Sequence, residues 1–447
     1  MHAPPRRGYP VGMEGRDAPA GAIAAVDAAN FALERGQPNV VSLAGLLAPG
    51  GFVDDRGVPD VERLRRVLAN RVRAVPALCR RPVSDGSAWR WEPSLPDVSR
   101  HVRLWQPDAE SPHAGASAAS FERVCARTLM TPLPLDRPLW ELLLVPAAAG
   151  TSCGVLFRLH HALADGLEAE SLVAALCDSD ADAEGGGSGG SNVDARPQAP
   201  ARPADRSSRL ARLREAGAQT VAVFRRTVRS RVLLGSLGVT RDVAFLDVGL
   251  AELHDGAKRA GGTVGDAFLA AFGQGLRAVL TAARESLPET LPVSSPVRLA
   301  RRGGEGNATG VMLVHVPVAD ADASAGVARV AAETRSEKAR ARAAGTFTWM
   351  ASPRSAALLM RFARTQRAVA AIASEFPGPS RTLRLDGAEL VSAWPLSLLS
   401  ANVRVGAVAA SYAGRFRVSV QTDADHLPPA RVVADAMAAA FEAIARR

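Results

Sequence analysis

Apolar positions along the chain recur with two periods, and the elements follow from them. From Ala22 the spacing of Ile23, Val26, Ala29 and Phe31 is helical. Val40 to Leu47 is a near-continuous apolar run and predicts a strand. Residues 61–72 put Leu64, Val67, Leu68 and Val72 on one face and arginines on the other, an amphipathic helix. Val102 and Leu104 alternate after His101, and Phe121 to Leu129 is helical again. Pro138 to Val145 and Gly154 to Leu159 are short apolar runs of the kind found in buried strands. Glu168 to Cys177 returns to a helical period.

Residues 178–208 break the pattern with a glycine/serine run and then a Pro/Ala/Arg stretch, a flexible linker by composition. Beyond it, 210–234 and 356–373 read as helices that combine apolar residues with arginines. A helix opens at Thr263, a plausible N-cap, and runs to about Leu280. Strands are expected at 292–298, 311–317, 402–410 and 415–421, and helices at 325–345 and 429–444. Mixed strands and helices in both halves predict an α/β or α+β protein of two lobes. The expected division is a flexible leader at 1–20, an N-terminal lobe at 21–177, the linker at 178–208 and a C-terminal lobe at 209–447. A length of 447 residues suits two such cores.

Composition narrows the function classes. The formal charge is +9, and nearly all of the excess is arginine, since Lys258 and Lys338 are the only lysines. A coding bias and a surface that meets phosphates both account for this. Nucleic acid is disfavoured: arginines are not interleaved with aromatics, and there are two tyrosines in the chain. Cys79, Cys125, Cys153 and Cys177 are widely spaced with no C-x-x-C pair, which argues against a zinc site and for reduced thiols in the cytoplasm. No secretory signal pattern and no apolar run of about 18 residues occurs, so nothing is expected to span a membrane. Peripheral attachment stays open.

The sharpest chemical feature is His160-His161-Ala-Leu-Ala-Asp165-Gly166, placed between a buried strand and a helix. Adjacent side chains at a strand end diverge, so the two histidines take different jobs: one faces a cavity and the other is held by the protein. A neutral imidazole titrates near working pH and suits a general base. Asp165 fits a loop-orienting role through an arginine, and Gly166 a backbone turn at a helix start. Ordinary polar residues closing a strand are the structural alternative. A metal reading is weak, because the histidines diverge and no third ligand stands near. No Gly-x-Ser-x-Gly elbow or phosphate-binding glycine loop is present.

The segment Arg158 to Gly166 resembles the His-His-x-x-x-Asp-Gly motif of the bacterial wax ester synthase/diacylglycerol acyltransferase family. That family lies in the wider group of chloramphenicol acetyltransferase and peptide-synthetase condensation domains. Pro138-Leu139-Trp140 resembles the family's upstream block. Pro377-Gly378-Pro379, followed by Gly387, Pro395 and Ser411-Tyr-Ala-Gly-Arg415, resembles its C-terminal block, and Pro292-Val-Ser and Gly306-Asn307 match between.

The resemblance implies two chloramphenicol-acetyltransferase-like lobes with a tunnel between them. Acyl-CoA serves as co-substrate, no cofactor or metal is needed, and an alcohol or lipid acceptor enters from the other side. His161 is the implied base and His160 its support. Asp165 pairs with an arginine, for which Arg298 is the candidate. Pro138, Leu139, Trp140 and Asp266 support the structure, while Asn307, Pro377, Gly378 and Pro379 meet substrate. The implied products are wax esters or triacylglycerol, made in the cytoplasm or on the inner membrane or lipid droplets. A related enzyme acylating a specialised metabolite or glycolipid, from CoA or an acyl carrier protein, is the first alternative; a non-catalytic lipid-binding scaffold is the second. The chain departs from the family pattern where asparagines are expected, with Gly265, Glu375 and Gly406 instead.

Overall fold

The computed structural model describes residues 21–34, 37–86, 88–106, 118–164, 166–179, 227–298, 309–344 and 361–447. The leader, most of the linker, Asp165 and Asn307 lie outside them.

The apolar runs of the first half become β1 (Val40–Leu47), β5 (Trp140–Ala149) and β6 (Ser152–His160). β6 is flanked by β1 and β5, antiparallel to both. Short β4 (Val102–Leu104) adds in parallel outside β5. On the other edge, β12 (Ala388–Leu396) pairs antiparallel with β1, and β11 (Arg384–Leu385) follows it. The order is β11-β12-β1-β6-β5-β4. Two strands of this sheet therefore come from beyond the linker, so the division of the chain is not the division between the sheets.

Helices cover both faces of the sheet. α2 (Val61–Arg71) starts on Asp60, whose carboxylate accepts the Arg63 amide at 2.9 Å. It buries Leu64 and Leu68, four residues apart, each worth about 1.5–3 kcal/mol of apolar transfer. α5 (Gly166–Leu176) covers the same core. On the other side, α4 (Ala118–Leu129) packs Phe121, Val124 and Cys125 against Leu143, Leu156, Val243 and Leu396. α1 (Ala25–Leu33) and a hairpin of β2 (Arg80–Ser84) and β3 (Trp89–Pro93) flank the first sheet; α3 (Val98–His101) leads into β4.

The second sheet has the order β7-β14-β13-β10-β8-β9. Its strands are β7 (Arg241–Gly249), β8 (Thr290–Arg298), β9 (Thr309–Pro317), β10 (Ala371–Phe376), β13 (Val405–Tyr412) and β14 (Arg415–Asp423). The parallel pairs are β13–β10 and β10–β8. Helices α6 (Leu250–Arg259), α7 (Val264–Ala282), α8 (Ala323–Ala344) and α9 (Ala430–Arg446) carry its core. α7 opens with a capping box. Asp266 accepts from the Thr263 amide at 2.9 Å while the Thr263 hydroxyl accepts the Asp266 amide. The mixed two-sheet architecture agrees with the expected fold class.

The two sheets join through β12. Trp394 stacks on Phe245 at 4.6 Å and donates to Asp247 at 3.0 Å. Arg417 lies over the rings of Trp394 and Tyr412. The Tyr412 hydroxyl donates to Leu390 O at 2.6 Å and accepts the Leu383 amide at 2.9 Å.

Some expected elements differ. Of the helix read at 210–234, the described residues 227–234 are not helical; the amides of Thr227 and Val228 bond Arg367 O, and Leu234 bridges Val403. The stretch lacked a single apolar stripe, and tertiary pairing takes its backbone. The helix read at 356–373 ends at residue 363 in its described part. Gln366 then accepts the amides of Ala368 and Val369, and Ala371 and Ala373 alternate inward as β10. The strand read from Asn402 starts at Val405, because the Asn402 side chain is engaged with Gln366. Among the described residues no helix is long and apolar enough to cross a membrane.

Candidate active site

β6, an interior strand, carries the histidine motif at its C-terminal end. The backbone is fixed on both sides: His160 N–H donates to Leu139 O at 3.1 Å and His161 N–H to Asn39 O at 2.8 Å. Leu139 and Trp140 of the upstream block are thus in direct contact with the motif. Trp140 is 1 % exposed, donates from its indole to Leu78 O at 3.0 Å and stacks on His101 at 4.4 Å. The Pro138 carbonyl accepts the Trp140 amide at 2.9 Å.

The two histidines are unlike. His160 is completely buried, whereas His161 keeps accessible surface. The Ala162 amide donates to His160 Nδ1 at 3.0 Å, which makes that nitrogen the acceptor and puts the ring proton on Nε2. Nε2 lies 3.6 Å from Glu34 Oε1, and the ring stacks on Phe31 at 4.8 Å. One strand position pair earlier, Arg158 is 1 % exposed and donates to Glu141 at 2.5 Å and to Thr128 O at 2.8 Å. Glu141 also takes Arg103, so both of its carboxylate oxygens are used, while Arg158 Nε is left without a hydrogen-bond partner. Burial holds the Arg158 guanidinium below its usual value despite Glu141.

Asp165 and Asn307 lie outside the described residues, as does the side chain of Arg298, which closes β8. Their expected pairing and contacts are therefore not seen. Gly166 is the first residue of α5.

The C-terminal block meets the motif helix. The Gly378 amide donates to Ser411 Oγ at 3.0 Å, and Pro379 O accepts the Ala413 amide at 3.0 Å. A Cβ at Gly378 would collide with Ser411 O and stand 3.5 Å from Glu170 Oε1 of α5, so only glycine fits. Burial pushes the Glu170 carboxyl up. Asp266, with its capping box, instead accepts Thr334 Oγ1 at 2.6 Å, as a buried support of α7.

Between α5 and the sheet lies a small apolar cavity of about 30 Å³, partly open to solvent. Leu43, Leu47, Phe157, Val173, Leu176 and Leu390 line it. Phe157 is four residues before His161, about 13 Å along an extended strand. Cys177 also borders it, but burial pushes its thiol and that of Cys153 up to about 12. Cys125 is driven well above the usual thiol value, and Cys79 is raised too, all chiefly by burial. None of the four is poised as a thiolate nucleophile.

Sequence reasoning missed Phe31, Glu34, Asn39 and Glu141. They lie in unremarkable helix and strand positions, and their contacts with the motif arise only when β1 and β5 pair with β6. The aligned alternation of β5 and β6 was the available signal for Glu141, which is a charge inside an apolar strand opposite Arg158.

Comparison with known proteins places this arrangement. Residues 23–268 match the wax ester synthase/diacylglycerol acyltransferase catalytic domain, and residues 305–445 the C-terminal domain of the same family. A probable diacylglycerol O-acyltransferase of Mycobacterium tuberculosis is 29% identical over 436 residues, covering 89% of this chain and 88% of the relative. Among solved structures, a wax ester synthase/diacylglycerol acyltransferase from Marinobacter aquaeolei superposes with a TM-score of 0.68 at 19% identity, covering 95% of this chain and 98% of that one. A trichothecene 15-O-acetyltransferase from Fusarium sporotrichioides shares the fold at a TM-score of 0.62 and 11% identity, covering 95% and 94%. With the motif at the end of β6, the upstream block bonded to it and the C-terminal block against its helix, the chain belongs to the wax ester synthase/diacylglycerol acyltransferase family and is an acyltransferase.

Proposed function

We propose that the chain transfers the acyl group of a long-chain acyl-CoA to the hydroxyl of a fatty alcohol or diacylglycerol, with His161 as general base. The observation that carries this reading is the inequality of the two histidines. His160 is sealed and its Nδ1 is used internally, while His161 keeps a surface that an acceptor can reach. The apolar lining of the small cavity under α5, with Phe157, Val173 and Leu176, supports placing the acyl chain on that side of the sheet.

In the proposed step the His161 imidazole removes the acceptor hydroxyl proton as the oxygen attacks the thioester carbonyl. The tetrahedral intermediate collapses by breaking the C–S bond, and the histidinium returns the proton to the departing CoA thiolate. The products are an ester and free CoA thiol. Holding both substrates together removes much of the entropic barrier, and no covalent enzyme intermediate is required.

A second reading keeps the chemistry and changes the acceptor to a specialised metabolite or glycolipid, with CoA or a carrier protein as donor. It is favoured by Glu375 and Gly265, which put a carboxylate where amides are expected. A panel assay separates the two. Purified enzyme is offered several acyl-CoAs with hexadecanol, diacylglycerol, polar alcohols or water, and thiol release and product mass are followed. Turnover with hexadecanol or diacylglycerol, abolished in His161→Ala, is the expected result. Turnover confined to polar acceptors selects the second reading, and full activity of His161→Ala overturns the base. Because the proposed acceptors are apolar, we place the enzyme at a membrane or droplet surface; failure to co-sediment with anionic vesicles at low salt would count against that placement.

A further inference from the structure

Opposite Leu139, the motif is held from outside its own strand by Phe31, Glu34 and Asn39. Their three contacts reach the histidine pair. Phe31 lies flat on the His160 ring at 4.8 Å and is itself backed by Trp89 at 4.2 Å. Glu34 Oε1 accepts the Asn39 amide at 3.5 Å and faces His160 Nε2 at 3.6 Å, just beyond hydrogen-bond length, where that buried nitrogen has no hydrogen-bond partner. Asn39 O accepts the His161 amide at 2.8 Å, one residue past the last strand pair, Val40 with His160. The Asn39 side chain is fixed in turn, donating to Asn30 Oδ1 at 2.8 Å and to Asn30 O at 3.3 Å. Asn30 and Asn39 are both buried, and the Glu34 side chain is 17 % exposed.

We propose that Glu34 is a positioning residue for acyl transfer, which fixes the His160 ring and the Asn39 backbone together and so sets where His161 stands. This rests on the reading of His161 as the base. The ring of His160 has its Nδ1 committed to Ala162 and its face to Phe31, which leaves Nε2 as the buried edge turned toward the Glu34 carboxylate. The same oxygen draws in Asn39, whose carbonyl holds the next residue of the motif. A base must be placed to a fraction of an ångström, and small displacements cost on the order of 10- to 100-fold in rate. Glu34 touches neither substrate in this scheme, so its loss acts on the chemical step and not on binding.

The test measures kcat and KM for acyl-CoA and acceptor in Glu34→Ala, Glu34→Gln and His161→Ala, with melting temperatures. Glu34→Ala is expected to lower kcat on the order of 10- to 100-fold, with both KM values within about twofold of wild type. Glu34→Gln keeps an oxygen that accepts the Asn39 amide and faces His160 Nε2, and is expected to restore kcat to within a few-fold. Unchanged kcat in Glu34→Ala overturns the proposal, as does a loss that Gln does not repair, or a loss carried in KM. If Glu34→Ala does not fold, Phe31→Leu, which keeps apolar volume and removes the ring stack, takes its place; a selective fall in kcat supports the clamp and wild-type kcat refutes it. Turnover that survives in His161→Ala would instead sink the base reading beneath it, which keeps the two failures distinct.

Discussion

The carboxylate of Glu375, on β10, stands over Gly265, in the first turn of α7: a Cβ placed on Gly265 would lie 2.6 Å from Glu375 Oε1. Two departures from the family pattern, far apart in sequence, are thus one spatial substitution. The glycine leaves room for the longer acidic side chain beside it. Gly406 is elsewhere, beside Leu399 and Gln421, with Ile372 O and Leu399 each 3.4 Å from a Cβ built on it.

This contact predicts coupling between the two positions. Gly265→Asn alone must displace the Glu375 carboxylate, the far end of an exposed and flexible side chain, and is expected to destabilise by at most about 1 kcal/mol. Glu375→Asn shortens the opposing side chain. The double variant should therefore recover about 0.5 kcal/mol relative to the sum of the singles. Urea denaturation of the four proteins measures this, and additivity within error would show that the contact carries no energy.

The surroundings of Glu375 also predict a pH dependence. Its side chain is exposed to solvent, yet enough protein surrounds it that desolvation raises its carboxyl above the ordinary value of 4.5. Asp266 raises it further, and Lys338 opposes the shift. A carboxyl raised on folding favours the folded state most when protonated. That contribution is fully present below the unfolded pKa and is lost as pH rises through the folded one. Glu375→Gln removes the ionisation. Its melting temperature relative to wild type should accordingly rise from pH 4 towards neutrality and then level off. A difference that is flat across this range, or that falls with pH, would contradict the assignment.

How far the sequence could be read varies with the physical source of each feature. β1, β5, β6, α2 and the capped start of α7 were legible because their signals are local: apolar runs, a helical stripe, and Thr263 placed three residues before Asp266. Placing β12 in the first sheet was not, since a strand's period does not name its partner. The arginine-rich stretch around 227–234 misled because helix propensity does not reveal that Arg367 takes its amides. At the site, the histidine motif and its upstream block were visible as residue patterns. The clamp of Glu34 and Asn39 arises only through the pairing of β1 with β6. The meeting of Gly265 with Glu375 needs α7 to be laid over β10, and nothing in either segment alone encodes it.

The cavity beneath α5 predicts a chain-length effect. Val173 lines it from α5 and is partly buried, so a larger side chain there takes up the small empty space. Val173→Phe should fill the part of the cavity next to the motif helix and deny it to an acyl chain. Each methylene removed from water is worth about 0.8 kcal/mol, so excluding three of them costs about 2.4 kcal/mol, roughly 50-fold in kcat/KM. Short acyl-CoAs, which do not reach that depth, should keep wild-type kcat/KM. The measurement is kcat/KM across a series of saturated acyl-CoAs for both proteins, with the optimum expected to move to shorter chains in the variant. An equal loss at every chain length would assign the substitution to general damage, and an unchanged optimum would place the acyl chain somewhere other than beneath α5.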